Sequence, residues 1–293
     1  MEKYNQLTPE IIAQIQAVSD HVLVGDDINV DFARDEMPIY GTHMPDLVVQ
    51  PTSTEEVAAV MKICYENTIP VTPRGAGTGL AGGAVPLLGG VLIDTSKMNR
   101  ILNYDMENFV VEIESGVLLN DLANDCLSKG MMYPPDPGEK TASIGGNVIT
   151  NAGGMRAVRY GLTRDFVRCI EAVLPDGEIV QFSSNVVKNT TGYDIKDLVI
   201  GSEGTLCILT EVTLKLMPAP KFTRTLVMPF ENLESCIDMV PCLLQMAAVP
   251  TAIEFLEREL IDIVERNLHK LLPVKEGDAV LIVMYDAGSE QEL

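Results

Sequence analysis

Hydrophobic and polar residues recur along the chain with two periods, and these periods predict its secondary structure. Apolar residues three and four positions apart indicate an amphipathic helix, as Val57, Val60 and Cys64 do. Short apolar runs and strict alternation indicate strands, as in residues 109–114 and 279–285. The predicted helices cover residues 9–18, 53–67, 118–129, 231–247 and 258–269. The predicted strands cover residues 46–50, 69–72, 90–94, 109–114, 169–174, 178–182, 206–216, 222–228, 251–256 and 279–285.

Capping and turn residues support several of these elements. Thr8 stands before a proline, which suits the first position of a helix. Ser53 and Glu56 have the spacing of a capping box at the start of the next helix. Asp176-Gly177 lies between two predicted strands and indicates a tight hairpin. Residues 25–45 carry no periodic pattern and are predicted to be irregular.

From residue 222 onward, strands and helices alternate regularly. This order predicts the start of an α+β domain with a ferredoxin-like arrangement, reached through a linker at residues 217–220. Ser289 and Glu292 have capping-box spacing in the last residues of the sequence. We therefore expect the chain to be a fragment or one half of a split protein. We also expect strand 279–285 to lie at a sheet edge that lacks neighbours and can pair with another chain.

A glycine-rich stretch at residues 73–90, PRGAGTGLAGGAVPLLGG, contains seven glycines. Such density allows backbone amides to approach a ligand closely, most often phosphate. Gly77, Gly79 and Gly82 satisfy the G-x-G-x-x-G pattern, but a dinucleotide site requires a helix directly after the loop. Gly83 and the residues after it exclude such a helix, so the loop joins strand to strand. A phosphate-binding loop and a glycine-rich turn without ligand both remain compatible with the residues.

A second glycine-rich segment covers residues 141–154, TASIGGNVITNAGG, and follows a proline-rich loop at residues 133–140. Its glycines allow close backbone approach, and Thr141, Ser143 and Asn147 add short polar side chains. The residues alone fit either the wall of a ligand site or a pair of tight turns around one strand. The proline-rich loop either lines a pocket or links two elements.

Charge and cysteine content narrow the class of protein. The net charge of −21 argues against nucleic acids and anionic membrane surfaces as partners. The six cysteines include no C-x-x-C pair, which suits free thiols in a reducing compartment and excludes zinc and iron–sulfur motifs. The polar start is not that of a signal peptide, and residues 239–256 are interrupted by Pro241, Pro250 and Glu254. We therefore expect a cytoplasmic protein without a membrane span.

The sequence PRGAGTGLAGG resembles the pyrophosphate loop of FAD-binding oxidoreductases of the vanillyl-alcohol oxidase type. Within that superfamily, the chain resembles the group that contains D-lactate dehydrogenase and the GlcD chain of glycolate oxidase. Three further stretches match in the same order: residues 133–161, residues 188–206 (KNTTGYDIKDLVIGSEGTL) and residues 253–258 (IEFLER). The resemblance implies an α+β fold, with a two-subdomain FAD-binding domain of the p-cresol methylhydroxylase (PCMH) type before the first part of a ferredoxin-like cap domain. It implies an N-terminal helical segment at residues 1–42, the FAD-binding domain at 43–218 and the partial cap at 219–293.

The cofactor implied by the resemblance is FAD. The first loop would hold its pyrophosphate, the second glycine-rich segment would wrap its isoalloxazine and ribityl parts, and residues 201–204 would close over the flavin. Neither glycine-rich segment contains a residue that tethers FAD in the superfamily, so the FAD is expected to be non-covalent. The cofactor-binding residues implied are Pro73, Arg74, Gly75, Ala76, Gly77, Thr78, Gly79, Leu80, Gly82, Gly83, Pro137, Gly138, Thr141, Ser143, Ile144, Gly145, Gly146, Asn151, Gly153, Gly154, Tyr160, Gly161, Glu203, Gly204 and Ile208.

The resemblance also implies a reaction. It is the oxidation of a D-2-hydroxy acid of the D-lactate or glycolate class to the 2-keto acid, with hydride transferred to the flavin. An electron-transferring flavoprotein or an iron–sulfur subunit would then accept the electrons. The alternative is an FAD-binding module or half-enzyme that is inactive without a missing C-terminal part. An enolpyruvoyl-sugar reductase of cell-wall synthesis shares the FAD fold, but residues 134–147 fit it poorly and it would need NADPH.

No catalytic residue or metal ligand can be assigned from the resemblance. Relatives take the base, the metal ligands and a substrate arginine from later parts of the cap, including motifs of the H-x-G-D-G-N-x-H kind. No such motif occurs in this chain, and its three histidines, His21, His43 and His269, stand alone. We expect the catalytic residues to lie beyond Leu293.

Overall fold

The computed structural model describes residues 4–269, 271 and 273–293. The helices are α1 (Pro9–Gln16), α2 (Thr54–Glu66), α3 (Leu119–Ser128), α4 (Ile144–Thr150), α5 (Ala157–Tyr160), α6 (Ile195–Val199), α7 (Leu233–Leu244) and α8 (Arg258–Leu268). The strands are β1 (Val22–Val24), β2 (Leu47–Val49), β3 (Val71–Arg74), β4 (Val91–Asp94), β5 (Ile101–Asp105), β6 (Val110–Glu114), β7 (Met131–Met132), β8 (Val167–Val173), β9 (Ile179–Ser183), β10 (Ile208–Lys215), β11 (Met217–Pro218), β12 (Phe222–Phe230), β13 (Ala252–Glu257) and β14 (Ala279–Ala287). Short 3-10 helices cover Gly25–Asp27, Val30–Ala33, Pro38–Tyr40, Thr95–Lys97 and Thr163–Phe166.

The contacts within the chain divide it into two compact units. The first unit comprises the residues up to Tyr133 together with Glu139–Ala152 and Phe166–Met217. The second unit comprises Pro134–Gly138, Gly153–Asp165 and Pro218–Leu293. Two short segments from the middle of the sequence therefore belong to the same unit as the C-terminal residues.

The first sheet of the first unit has the order β1-β2-β4-β3. Strands β2 and β3 both run parallel to β4, and β1 is antiparallel to β2. Helix α2 packs on this sheet through Val57, Val60 and Cys64, which are at most 1% exposed and share a core with Val91 and Ile93 of β4. The helical period predicted from the sequence therefore describes the core-facing side of α2.

The second sheet of the first unit has the order β5-β6-β10-β8-β9, and all of its neighbouring strands are antiparallel. The hairpin predicted at Asp176-Gly177 is confirmed: it joins β8 to β9, and Gly177 has a φ of +88°. The Leu174 amide donates a hydrogen bond of 2.9 Å to the Glu178 carbonyl and closes the hairpin. Gly177 supplies the left-handed backbone conformation that this turn requires.

Three glutamates form a row across the middle of this second sheet. Glu211 of β10 lies directly opposite Glu114 of β6 and, on its other side, opposite Glu171 of β8. Arg100 forms an ion pair of 2.6 Å with the buried Glu114 carboxylate. Thr54 donates a hydrogen bond of 2.8 Å to Glu171. Burial raises the pKa of Glu211, and the negative charges of Glu171 and Glu114 raise it further.

Glu211→Gln is expected to stabilise the protein at neutral pH. Like charges directly opposite on neighbouring strands cost up to about 1 kcal/mol, and because Glu211 is partly exposed we expect about half of that after solvent screening. The raised pKa means that the folded chain holds the Glu211 proton more tightly than the unfolded chain does. Stability from this site is therefore present at acidic pH and is lost as pH rises through the raised pKa.

Urea unfolding of the wild type and Glu211→Gln at several pH values measures this effect. The variant should be the more stable at neutral pH, and the difference should shrink toward pH ~4, where the wild-type carboxyl is largely protonated. Glu107→Gln is the matched control, because Glu107 is exposed on the turn between β5 and β6. Equal stability of wild type and Glu211→Gln at neutral pH would contradict the repulsion.

The sheet of the second unit has the order β12-β14-β13, with β14 antiparallel to both neighbours. The expectation that strand 279–285 lies at a sheet edge is therefore wrong, because this strand is the central one. Its Leu281 and Val283 side chains pack with Cys236 of α7 in the core of this unit. A fully apolar strand occupies the centre because both of its long sides are covered, and the edges are formed by β12 and β13.

The last residues of the chain, 289–292, form a turn in which the Glu292 amide donates a hydrogen bond to the Ser289 carbonyl. All six cysteines are free, and five of them are buried, whereas Cys242 is exposed. Among the described residues, no helix has both the length and the apolar character needed to cross a bilayer.

Candidate cofactor site

The glycine-rich loop leaves the end of β3 and returns to the start of β4 without a helix in between. The prediction that it joins strand to strand is confirmed, and a Rossmann arrangement is excluded. Gly77 and Gly82 have φ values of +74° and +76°, and Gly89 and Gly90 have values of +66° and +72°. Because only glycine adopts this left-handed region without cost, the path of the loop depends on these positions.

A run of backbone amides in this loop is not used by the fold. Within the part of the chain that the structure describes, the N–H groups of residues 76–81 have no hydrogen-bond acceptor in the protein. Residues 76–78 are half-buried and residues 79–81 are exposed. Successive free amides in a bent loop form a concave donor surface that suits an anion such as a diphosphate. The donor set therefore fits the pyrophosphate of FAD.

The second glycine-rich segment packs directly against the loop. A methyl group on Gly75 would clash with Ser143 Oγ and would lie 3.8 Å from the Gly146 amide nitrogen. Gly75 is therefore required by the close approach of the two segments. The two glycine-rich stretches, which are separated by more than fifty residues in the sequence, meet at one place in the first unit.

The turn at residues 201–204 reaches the same place. A methyl group on Gly204 would lie 2.6 Å from Pro73 Cγ, and one on Gly83 would lie 3.7 Å from Glu203 Oε2. The Glu203 amide donates a hydrogen bond of 3.0 Å to the carbonyl of Ile149 in α4. The structure therefore brings together the three matched segments of the first unit around the glycine-rich loop.

Residues 144–150 form helix α4, which the sequence analysis did not predict. The strand considered for this segment is not formed. Ser143 caps the helix by accepting a hydrogen bond of 3.1 Å from the Gly146 amide. The Gly145 amide donates to the Ser115 carbonyl at 2.7 Å. A methyl group on Gly145 would lie 2.6 Å from Ser115 Cβ, so this glycine lets the helix approach the residue after β6.

Three buried polar atoms around α4 have no hydrogen-bond partner among the described residues. They are Ser115 Oγ, Asn147 Nδ2 and Ser202 Oγ. Ser115 and Asn147 are 1% and 4% exposed. Because buried polar groups are nearly always hydrogen-bonded, such atoms point to a ligand or water at this place. Ser115 and Ser202 were not among the predicted site residues, although Ser202 lies in the matched GSEG stretch and that position could have been used to find it.

Some predicted residues can contribute only their backbone. Ile144 is fully buried, and Ile208 is 4% exposed and belongs to the core of the first unit. Their side chains are committed to packing inside the protein. Thr141 is exposed and donates its hydroxyl to Glu139 at 2.5 Å, and Leu80 is 66% exposed.

A cleft of about 550 Å³ opens beside the loop. Its lining combines Arg74, Ala76 and Gly77 from β3 and the loop with residues 31–42. Arg74 donates a hydrogen bond of 2.7 Å to the Arg34 carbonyl and lies over the Phe32 ring. Burial lowers the pKa of Arg74, and the carboxylates of Asp94, Asp31 and Asp35 partly offset that shift. The cleft therefore combines one fixed guanidinium with unused backbone amides.

The remaining predicted cofactor residues belong to the second unit. They are Pro137, Gly138, Gly153, Gly154, Tyr160 and Gly161. A methyl group on Gly154 would clash with the Asp136 carbonyl, so the proline-rich loop and the segment after α4 are in contact. The Tyr160 hydroxyl donates a hydrogen bond of 3.4 Å to Asp286. Arg159 donates to the Asp286 carbonyl at 2.8 Å and to the Thr251 hydroxyl at 3.2 Å.

The histidines do not form a common site. His21, His43 and His269 are exposed and lie on three separate segments of the chain. Among the residues that the structure describes, no group of three or more His, Cys, Asp or Glu side chains could hold a metal ion. The geometry therefore describes a cofactor site and identifies no catalytic base.

Comparison with known proteins places the two parts of the chain. Residues 45–183 match the model of the FAD binding domain, and residues 219–293 match the C-terminal domain of FAD linked oxidases. The chain is 55% identical to a D-lactate dehydrogenase of Anaerostipes hadrus over 99% of its own length and 62% of that protein. It is 38% identical to the glycolate oxidase subunit GlcD of Bacillus subtilis over 88% of its own length and 55% of that protein.

The fold is shared with solved structures. A crystal structure of p-cresol methylhydroxylase with substrate bound superposes with a TM-score of 0.79 at 21% identity. The match covers 97% of this chain and 61% of that one. The chain thus has the α+β fold predicted from the sequence and spans less than two thirds of the length of these proteins.

Proposed function

Because this chain belongs to the FAD-linked oxidoreductases with a PCMH-type FAD-binding domain, we propose that it provides the flavin site of an enzyme that oxidises a D-2-hydroxy acid. FAD is its cofactor. The observation that carries the substrate class is the 55% identity to a D-lactate dehydrogenase, which extends over both domains present here. The proposed substrates are D-lactate, glycolate and their close analogues.

The residues of the first unit would hold FAD in two ways. The free amides of residues 76–81 bind its diphosphate, with the Arg74 guanidinium beside them. Ser115, Asn147 and Ser202 offer their unpaired polar atoms around α4, where the second glycine-rich segment contacts the loop. When bound, FAD accepts the hydride from the carbon that bears the substrate hydroxyl.

The reaction also needs an electron acceptor and a group that removes the hydroxyl proton. We propose a protein acceptor of the electron-transferring flavoprotein or iron–sulfur class, as in the family that the chain resembles. The base is proposed to lie in the further C-terminal length of the relatives. This length is absent from the 293 residues, which span 62% of the D-lactate dehydrogenase.

The test is anaerobic mixing of acids with FAD-loaded protein that carries this chain together with the C-terminal length of its relatives. D-lactate, glycolate or D-2-hydroxyglutarate should bleach the flavin absorbance, whereas L-lactate, the mirror-image control, should not. A flavin that dithionite reduces but none of these acids reduces would contradict the proposed substrate class.

A second candidate function is an FAD-binding module that turns over nothing alone. The partial coverage of the relatives favours it for the isolated chain. Both candidates require FAD binding, which a melting experiment tests directly. Free FAD at about a hundredfold its dissociation constant should add ~2.7 kcal/mol to the stability of the fold. An unchanged melting temperature over a broad FAD titration would contradict both.

We expect FAD to be released completely when the protein is precipitated with acid. The cysteines that could tether it are buried: Cys126, Cys169 and Cys207 are at most 4% exposed. Burial raises the pKa of the Cys207 thiol to about 11 and disfavours the reactive thiolate. After precipitation, all yellow colour should stay in the supernatant, and colour retained in the washed pellet would contradict a non-covalent flavin.

A further inference from the structure

The segment that covers the glycine-rich loop lies outside the matched FAD binding domain, which begins at residue 45. We call residues 34–40 the clasp. The sequence assigned this acidic, irregular stretch no role. In the structure it contacts the loop repeatedly, and the contacts centre on the buried carboxylate of Asp35, which is 8% exposed.

Asp35 uses both carboxylate oxygens. Oδ2 accepts a hydrogen bond of 2.7 Å from the Gly82 amide, and Oδ1 accepts one of 2.9 Å from the Met37 amide of the clasp itself. The neighbouring Glu36 amide donates to the Gly79 carbonyl at 3.1 Å. The clasp therefore holds the loop at both ends of the turn from Gly79 to Gly82.

Two further contacts fix the clasp against the loop. The Arg34 carbonyl accepts a hydrogen bond of 2.7 Å from Arg74, the last residue of β3. The Tyr40 ring lies against Gly82, so that a methyl group there would be 2.6 Å from the ring. The amides of residues 76–81, which have no protein acceptor among the described residues, lie between the anchors at Arg74 and Gly82.

From these contacts we propose that Asp35 is a positioning residue for the cofactor, which holds the amides of the loop in the geometry that binds diphosphate. The proposal rests on FAD binding at the loop, as argued above. A loop that populates its binding geometry only part of the time loses affinity by that fraction. Asp35 carries a negative charge near an anion site, which by charge alone would weaken binding. Its value to the site therefore lies in ordering the loop.

Asp35→Asn separates these two effects. An amide side chain has one acceptor oxygen and one donor nitrogen, so it cannot accept from both the Gly82 and Met37 amides. Losing a hydrogen bond to a charged group corresponds to about a tenfold to hundredfold change in an equilibrium constant. We expect the dissociation constants of FAD and of ADP, which shares the diphosphate, to rise by the same factor in this range.

Asp31→Asn is the matched control. It removes the same charge from the lining of the same cleft, but the Asp31 carboxylate pairs with Arg34 and does not contact the loop. FAD and ADP should bind this variant as tightly as the wild type or more tightly. Equal weakening by Asp31→Asn and Asp35→Asn would overturn the proposal, because charge would then be the cause. An unchanged FAD dissociation constant in folded Asp35→Asn would overturn it as well.

Hydrogen exchange tests the same proposal without a substitution. In the wild-type chain without FAD, the Gly82 amide should exchange slowly, whereas the amides of residues 76–81 should exchange rapidly and become protected when ADP is added. Rapid exchange at Gly82 would overturn the role of Asp35. If neither FAD nor ADP binds the wild type, the proposed function fails, and the state of the Gly82 amide still reports on the clasp.

Discussion

Alanine at Gly79 should remove FAD from the purified protein and leave the stability of the FAD-free fold unchanged. The protein leaves room for this methyl group, because its nearest neighbour would be Asp35 Oδ2 at 3.8 Å. The backbone of Gly79 also lies outside the left-handed region. The only obstacle is then a ligand in contact with the loop. We expect the FAD dissociation constant to rise at least ~100-fold, or ~2.7 kcal/mol.

Valine at Gly77 should have the same effect on FAD by another physical route. Gly77 has a φ of +74°, and its Cβ would clash with the Arg74 guanidinium. A branched side chain in this backbone region costs of order 1–3 kcal/mol and changes the path of the loop. Gly130→Ala is the control, since Gly130 also has a positive φ but ends α3 with open space around it.

Isothermal titration with FAD and melting curves without FAD distinguish the outcomes. Gly79→Ala should lose binding and keep its melting temperature. Gly130→Ala should show the reverse, a lower melting temperature with normal FAD binding. Normal binding by Gly79→Ala would mean that the cofactor does not touch this part of the loop.

The second large effect concerns the isolated chain, which should bind FAD without being reduced by D-lactate, glycolate or D-2-hydroxyglutarate. Hydride transfer from a hydroxy acid requires a base for the hydroxyl proton, within hydrogen-bond reach of it. The described residues that line the cleft offer carboxylates and arginines, and no histidine is among them. Coexpression with the C-terminal part of a relative should restore reduction.

Anaerobic spectra of the FAD-loaded chain measure this directly. Dithionite should reduce the flavin in the same sample, which shows that it is bound in a redox-competent form. Full bleaching by one of the acids with the 293-residue chain alone would contradict the prediction. It would place a base among the residues present, and Glu203, Lys188 and Tyr193 would be the first to replace. Glu203 comes first because its carboxylate lies near Gly83 of the loop.

Local patterns in the sequence were sufficient for most of the secondary structure. Each strand and helix predicted after residue 222 is present with ends displaced by at most three residues. The loop was also assigned correctly, since Gly83 and Pro86 prevent a helix irrespective of the rest of the fold. These features depend on residues close together in the sequence, and a pattern within one segment records them.

The features that were missed depend on contacts between distant segments. Helix α4 contains Gly145 and Gly146, which disfavour helices, and forms because Ser143 caps it and Ser115 accepts the Gly145 amide. The central position of β14 follows from pairing with both β12 and β13, which no property of its own residues specifies. The role of Asp35 was hidden because its partner, Gly82, is 47 residues away.

The interleaving of the two units has a consequence for the exchange of parts between relatives. Arg159 and Tyr160 lie within the stretch matched by the FAD binding domain, yet they bond to Thr251 and Asp286 of the C-terminal part. A chimaera joined near residue 217 would pair one parent's arginine with the other parent's aspartate region. Recombination between relatives should therefore preserve this contact only when residues 134–138 and 153–165 are inherited together with the C-terminal part.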